Sequence, residues 1–299
     1  MTRRFILPLL FVVVMANSAK AVEWARLDTD HFAIFFPASE TNAAVQFGRG
    51  AEKIRRQVVD TLGHDYSGEI EVYLAPDRAS FDALHGGGKV PSWAVATARP
   101  SQRTITMFSP SGALGEGLRG DMAETFAHEL THVAVYLYLG KRQPPRWLTE
   151  GLAQWVAGQW SVTDSWRMTM ALLAARTIPL HELIRGWPQS AARAKLAYAQ
   201  SLSLVDFLRE KGLLAPLLRE LRDGYPSKVA LMRATGSGPA ELEKRWLRYA
   251  RRRHSWLLAI DRRFFYAVAG FAAMIGWMFT RRRRRERYER LDDDVPGGY

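Results

Sequence analysis

The chain has 299 residues and no cysteine, which removes disulfides and thiolate metal ligands from consideration. Its net charge of +12 sits at the ends: residues 1–21 carry +3 and residues 241–299 carry +7, leaving +2 for the stretch between. That distribution excludes nucleic-acid binding as the meaning of the basic content, and about 220 central residues suffice for a core without covalent cross-links.

In chain order, Met1-Thr2-Arg3-Arg4, the apolar run Phe5–Ala16 and Ala19-Lys20-Ala21 have the layout of a secretory signal peptide over residues 1–21, cut after Ala21. His31–Phe36 and Glu69–Leu74 read as strands from their β-branched and aromatic content. Between them Thr41–Leu62 has helical spacing, with Val45, Phe47, Ile54, Val58 and Leu62 as the inner stripe. Ala79–Leu84 is a short helix and Gly86-Gly87-Gly88 a loop. Ser92–Ala98 and Arg103–Phe108 form a strand pair joined through Arg99-Pro100-Ser101-Gln102.

From Asp121 the pattern turns helical. Asp121–Leu139 carries Met122, Phe126, Leu130, Val133, Ala134 and Leu137 near the spacing of one face; Gly140 ends it and Pro144-Pro145 prevent resumption. Within it lies His128-Glu129-Leu130-Thr131-His132. Histidines four apart stand one turn above the other on a helix, so both imidazoles reach one ion, and Glu129 projects beside them where it can address water. A second helix starting near Trp147 brings Glu150, 18 positions after His132, back over the pair as a third ligand. Three protein ligands leave the open position that catalytic zinc needs. Two imidazoles and a carboxylate select Zn2+, one ion. The other five histidines, His31, His64, His85, His181 and His254, lack ligand spacing and read as surface or capping residues.

Further helices are expected at Ser165–Ala175, Leu180–Ile184, Ala191–Lys211, Ala215–Leu221, Ser227–Ala234 and Pro239–Trp256, separated by Gly and Pro. Strands first and helices after predict an α+β domain over residues 22–253. Phe264–Thr280 is seventeen residues without charge, followed by Arg281–Arg285. This predicts a transmembrane helix at 264–280 and a basic cytoplasmic tail at 281–299, with the domain before the span outside. The expected location is therefore single-pass in the cytoplasmic (inner) membrane, with an extracytoplasmic, periplasmic catalytic domain and the lipid bilayer as a partner.

His128-Glu129-x-x-His132 with Glu150-Gly151 resembles the gluzincin metallopeptidases, and its surroundings resemble their peptidase MA-like branch over roughly residues 25–250. Pro91-Ser92-Trp93-Ala94-Val95-Ala96 before the motif and Ala197-Tyr198-Ala199-Gln200-Ser201 after it carry the softer part of the likeness. The resemblance implies a zincin-like fold with a mixed sheet and a mostly helical C-terminal subdomain. It implies zinc on His128, His132 and Glu150, Glu129 as base and proton shuttle, and a sheet edge that pairs with an extended substrate. Tyr198 is the implied oxyanion donor, with Tyr136, one turn past His132, as the competitor. Thermolysin-like members carry an acidic residue four positions after the glutamate ligand, where this chain has Gln154. A Gly-x-Met-x-Asn motif that grips a substrate amino terminus is absent, which favours endopeptidase over exopeptidase action on a peptide or protein substrate. The rival reading is a non-catalytic, zinc-stabilised binding module of an envelope membrane complex; an uncoordinated Glu129 argues against it, since a folding site needs no base.

Overall fold

A computed structural model of the chain describes residues 11–13, 22–86, 90–92, 94–109, 122–140 and 144–254, with isolated positions between 266 and 278. Strands β1 (Phe11–Val13), β2 (Trp24–Asp28), β3 (Phe32–Pro37), β4 (Ile70–Ala75), β5 (Ala96–Arg99) and β6 (Thr104–Phe108) form one sheet in the order β1-β2-β3-β4-β6-β5. The centre is parallel, β3 with β4 and β4 with β6, while β2 and β5 pair antiparallel on either side. All five residues of β6 are buried, and so are Phe32, Ile34 and Phe36 of β3. Continuous burial is what parallel strands covered on both faces show.

Helix α1 (Thr41–Leu62) spans the expected residues, but its inner face is different. The buried positions are Ala44, Gly48, Ala51, Arg55, Val58 and Leu62, whereas Val45, Phe47 and Ile54 are half-buried. Close packing selects the small residues: a Cβ at Gly48 would lie 3.1 Å from Thr29 Cγ2 and 3.2 Å from Ile34 Cδ1. Arg55 is buried in the same face, where its Nη2 donates to Asp65 and to the Tyr66 carbonyl.

After α2 (Arg78–Ala83), the described chain becomes helical beyond β6: α3 (Met122–Leu139), α4 (Arg146–Ala157), α5 (Val162–Leu173), α6 (Leu180–Arg185), α7 (Ala191–Glu210), α8 (Leu214–Arg222) and α9 (Ser227–Thr235). Residues 239–254 are also helical. α3 packs against α1, β5 and α4, and α4 packs in turn on α7. The expected α+β architecture, a mixed N-terminal sheet followed by a mostly helical region, is the one observed. The chain divides into two compact units, 1–249 and 250–299.

The expected transmembrane helix Phe264–Thr280 is corrected. No helix among the described residues is long and apolar enough to cross a membrane. Length gives the physical reason: seventeen residues rise about 26 Å, short of a hydrocarbon core of roughly 30 Å. The membrane anchoring, the bilayer partner and the single-pass inner-membrane, periplasmic placement fall with it. Most of 264–280, and the tail 281–299, lie outside the described residues. The signal peptide is likewise unsupported. Within 1–21 the described part, Phe11–Val13, is a strand paired with Trp24–Arg26, and the remainder lies outside the described residues, as do Gly87, Gly88 and Trp93.

Candidate metal centre and active site

Helix α3 presents His128, Glu129 and His132 to a cleft of about 610 Å³ beside β5. Its opposite faces are buried almost throughout, by Phe126, Leu130, Val133 and Ala134 among others, which fixes the rotation of the helix and thus the aim of the histidines. Glu150 enters from α4. This approach depends on Gly151: a Cβ there would sit 2.5 Å from the Ser201 carbonyl oxygen and 2.7 Å from Val205 Cγ2 of α7. Gln154 ties the same helices, its Nε2 donating to the Glu150 and Tyr198 carbonyls at 3.1 and 3.2 Å.

His128 Nε2 and His132 Nε2 lie 3.2 Å apart, and Glu150 Oε2 lies 3.8 Å from each. Tetrahedral zinc with arms of about 2.0–2.1 Å separates neighbouring ligand atoms by about 3.3 Å. The three donors therefore match zinc in kind and nearly match it in spacing. Among the described residues they are the group of three able to hold a metal, and one Zn2+ is the cofactor that fits them.

The ligand tautomer is set by a residue that the sequence did not single out. Gln159 Oε1 lies 2.9 Å from His128 Nδ1 and, being an acceptor, requires the proton there, so the Nε2 lone pair faces the site. Gly158 makes this possible by taking φ 71° at the end of α4, folding Gln159 back until its N–H meets the Gln154 carbonyl at 2.9 Å. The position four after Glu150, Gln154, serves packing instead.

Burial dominates the electrostatics. It pushes His132 down to about 3, aided by repulsion from His128 and Arg146. It also lowers His128, against the pull of Glu150 and Gln159. Both imidazoles are thus neutral, the ligating form. Burial, with the charge of Glu150, pushes Glu129 up to about 7, opposed by a hydrogen bond from the Ala98 N–H. Tyr198 is raised by burial and by Glu150, with Arg146 opposing, and keeps its proton.

The structure brings Glu129, Tyr198 and Tyr136 to the cleft with the three ligands. Arg146, which the sequence reading passed over, joins them: Nε donates to Glu150 Oε1 at 3.0 Å and Nη2 to the Tyr198 hydroxyl at 3.2 Å. Its signal was its place four residues before Glu150, where α-helical side chains meet. The remaining histidines stand apart from the centre. His31 pairs with Glu52, His64 lies tilted on Tyr138, and His85 joins the Phe81 carbonyl to Thr97. His254 is buried rather than superficial, although Arg251, Arg252 and Arg253 beside it are exposed.

No curated protein matches the chain. The model of the Peptidase MA superfamily matches residues 90–251, more than half of it. The matched stretch begins ahead of the edge strand and contains both ligand-bearing helices and the α7 helix behind them. The chain belongs to the Peptidase MA superfamily and is a zinc metallopeptidase of the gluzincin type.

Proposed function

We propose that this peptidase hydrolyses peptide bonds of substrates laid in extended form along β5, with Glu129 as general base and Tyr198 as oxyanion donor. The observation that carries the reading is the placement of Glu129. It stands in the cleft outside the three-residue ligand set, accepts from the Ala98 N–H, and holds its proton affinity near neutrality. A group of that affinity takes a proton from water and returns it to a leaving nitrogen within one cycle.

Zinc bound at the three ligands supplies the Lewis acidity that makes water nucleophilic at neutral pH. The rest is the work of the chain. In an antiparallel strand, alternate residues direct their backbone groups to one side. Val95 accepts from the Phe108 N–H on the β6 side at 3.4 Å, so Ala96 and Ala98 face the open edge. Their backbone groups offer pairing positions to an extended peptide, except for the Ala98 N–H that holds Glu129. This shared hydrogen bond sets the base at a fixed height against the strand that aligns the scissile bond. Tyr198 donates while uncharged, and its partner Arg146 supports the argument for Tyr198 over Tyr136.

The test compares the full chain with Glu129→Gln, both zinc-loaded, on casein with and without chelator. The wild type should cleave only without chelator. The variant should retain one zinc per chain and lose about 10²–10⁴-fold in kcat. Wild-type turnover by the variant would refute the assignment of the base.

A further inference from the structure

Arg146 is half-exposed, its side chain retaining 52% of its accessibility. An ion pair this open contributes little to stability. Yet its guanidinium is held at three points at once. Nε donates to Glu150 Oε1 at 3.0 Å, Nη2 donates to the Tyr198 hydroxyl at 3.2 Å, and the plane lies over the Trp187 ring at 4.7 Å. Trp187 in turn meets Tyr198 edge-on, with ring centroids 4.9 Å apart. Helix α4, the segment after α6, and helix α7 thus converge on one planar cation.

We propose that Arg146 is a positioning residue that selects which oxygen Glu150 gives to the metal and which way the Tyr198 hydroxyl points. The carboxylate oxygens are unequal here. Oε1 is taken by the arginine, while Oε2 alone faces the two histidine nitrogens, at 3.8 Å from each. A carboxylate relieved of the arginine rotates and presents either oxygen, or both. The phenol is constrained by a similar argument. A guanidinium has no acceptor, so the Tyr198 oxygen must receive the hydrogen bond from Nη2, and its own hydrogen is left to donate elsewhere. Since the residue lines the same cleft as Glu129 and the ligands, that hydrogen is available to a developing oxyanion. One side chain therefore couples the metal ligand to the oxyanion donor. A lysine could not do this, because a single ammonium lacks the rigid fork that reaches both oxygens while stacked on an indole.

The activity arm of this inference rests on the peptidase reading above; the metal arm does not. Full-length wild type, Arg146→Ala and Arg146→Lys, first matched by circular dichroism and thermal melting, are titrated with zinc against a chromophoric chelator. They are then assayed at saturating zinc on a quenched fluorescent peptide that the wild type cleaves. Zinc affinity should fall roughly 10–100-fold in Arg146→Ala, and Arg146→Lys should not restore it. At saturating zinc, kcat should fall with KM unchanged, free guanidinium should recover part of it, and the loss should shrink in a Tyr198→Phe background. Unchanged zinc affinity in both variants, or a kcat loss of equal size with and without the Tyr198 hydroxyl, would overturn the proposal. Should the wild type cleave no peptide, the functional reading fails while the zinc titration still decides the role of Arg146.

Discussion

Gly151→Ala sets two opposed effects against one another, and the structure decides between them. In an unobstructed helix the substitution stabilises by about 1 kcal/mol, because glycine loses more backbone entropy on folding. Here the new Cβ would lie 2.5 Å from the Ser201 carbonyl oxygen, and ordinary contact begins at 3.4 Å, so α4 and α7 must part by about 0.9 Å. The obstacle is backbone rather than the end of a flexible side chain. Overpacking of this kind costs about 1–3 kcal/mol, which outweighs the gain. The shift also carries Glu150, the preceding residue, relative to histidines whose nitrogens lie only 3.8 Å from its Oε2. Gly151→Ala should therefore be less stable in urea unfolding of the zinc-free chain and should bind zinc more weakly. Gly50→Ala is the control. It too lies within a helix, but nothing stands within 4 Å of its new Cβ, so it should stabilise by about 1 kcal/mol. If Gly151→Ala stabilises as Gly50→Ala does and leaves zinc affinity untouched, the close approach of α4 and α7 is not what places Glu150.

Two further predictions concern charge and tautomer. Glu129 is raised in the fold from 4.5 to about 7, so its contribution to stability is fully present below about 4.5 and is lost as pH rises through 7. The zinc-free wild type should lose ground to zinc-free Glu129→Gln over that window, by about 3 kcal/mol at most, in urea unfolding at both ends; a difference independent of pH would contradict the burial argument. Gln159→Leu removes the acceptor at His128 Nδ1 and should weaken zinc binding roughly 10–100-fold in chelator competition, whereas an unchanged affinity would mean that the tautomer is set without it.

Much of the fold is legible in the sequence where period and punctuation agree. Thr41–Leu62 and Ala191–Glu210 occupy nearly the expected residues, because apolar spacing runs unbroken between clear stops. Gly140 ends α3 with φ 70°, as its position implied. Trp24–Asp28 escaped notice because its pairing depends on β3 across a turn rather than on its own composition. The strand expected at Ser92–Ala98 enters the ladder only at Ala96, since the Ala94 N–H closes a turn onto Pro91 at 2.9 Å. The stripe on α1 was misplaced because large apolar residues mark hydrophobicity, whereas close approach to a sheet selects alanine and glycine. At the site, the three ligands were readable from spacing, and so was the place of Glu129 beside them. Gln159 was not, because its reach to His128 arises from the left-handed turn at Gly158 rather than from any periodicity. The expected membrane span failed because seventeen uncharged residues, the lower limit of a spanning length, were taken as enough.

The central claim is that His128, His132 and Glu150 hold one zinc through two Nε2 atoms and a single carboxylate oxygen. Anomalous diffraction at the zinc edge, from crystals of the zinc-loaded chain, tests it most directly. One peak is predicted, about 2.0–2.2 Å from both imidazole nitrogens and Oε2, with Oε1 still on Arg146. A peak elsewhere, or density at this place that Glu150 does not touch, would contradict it.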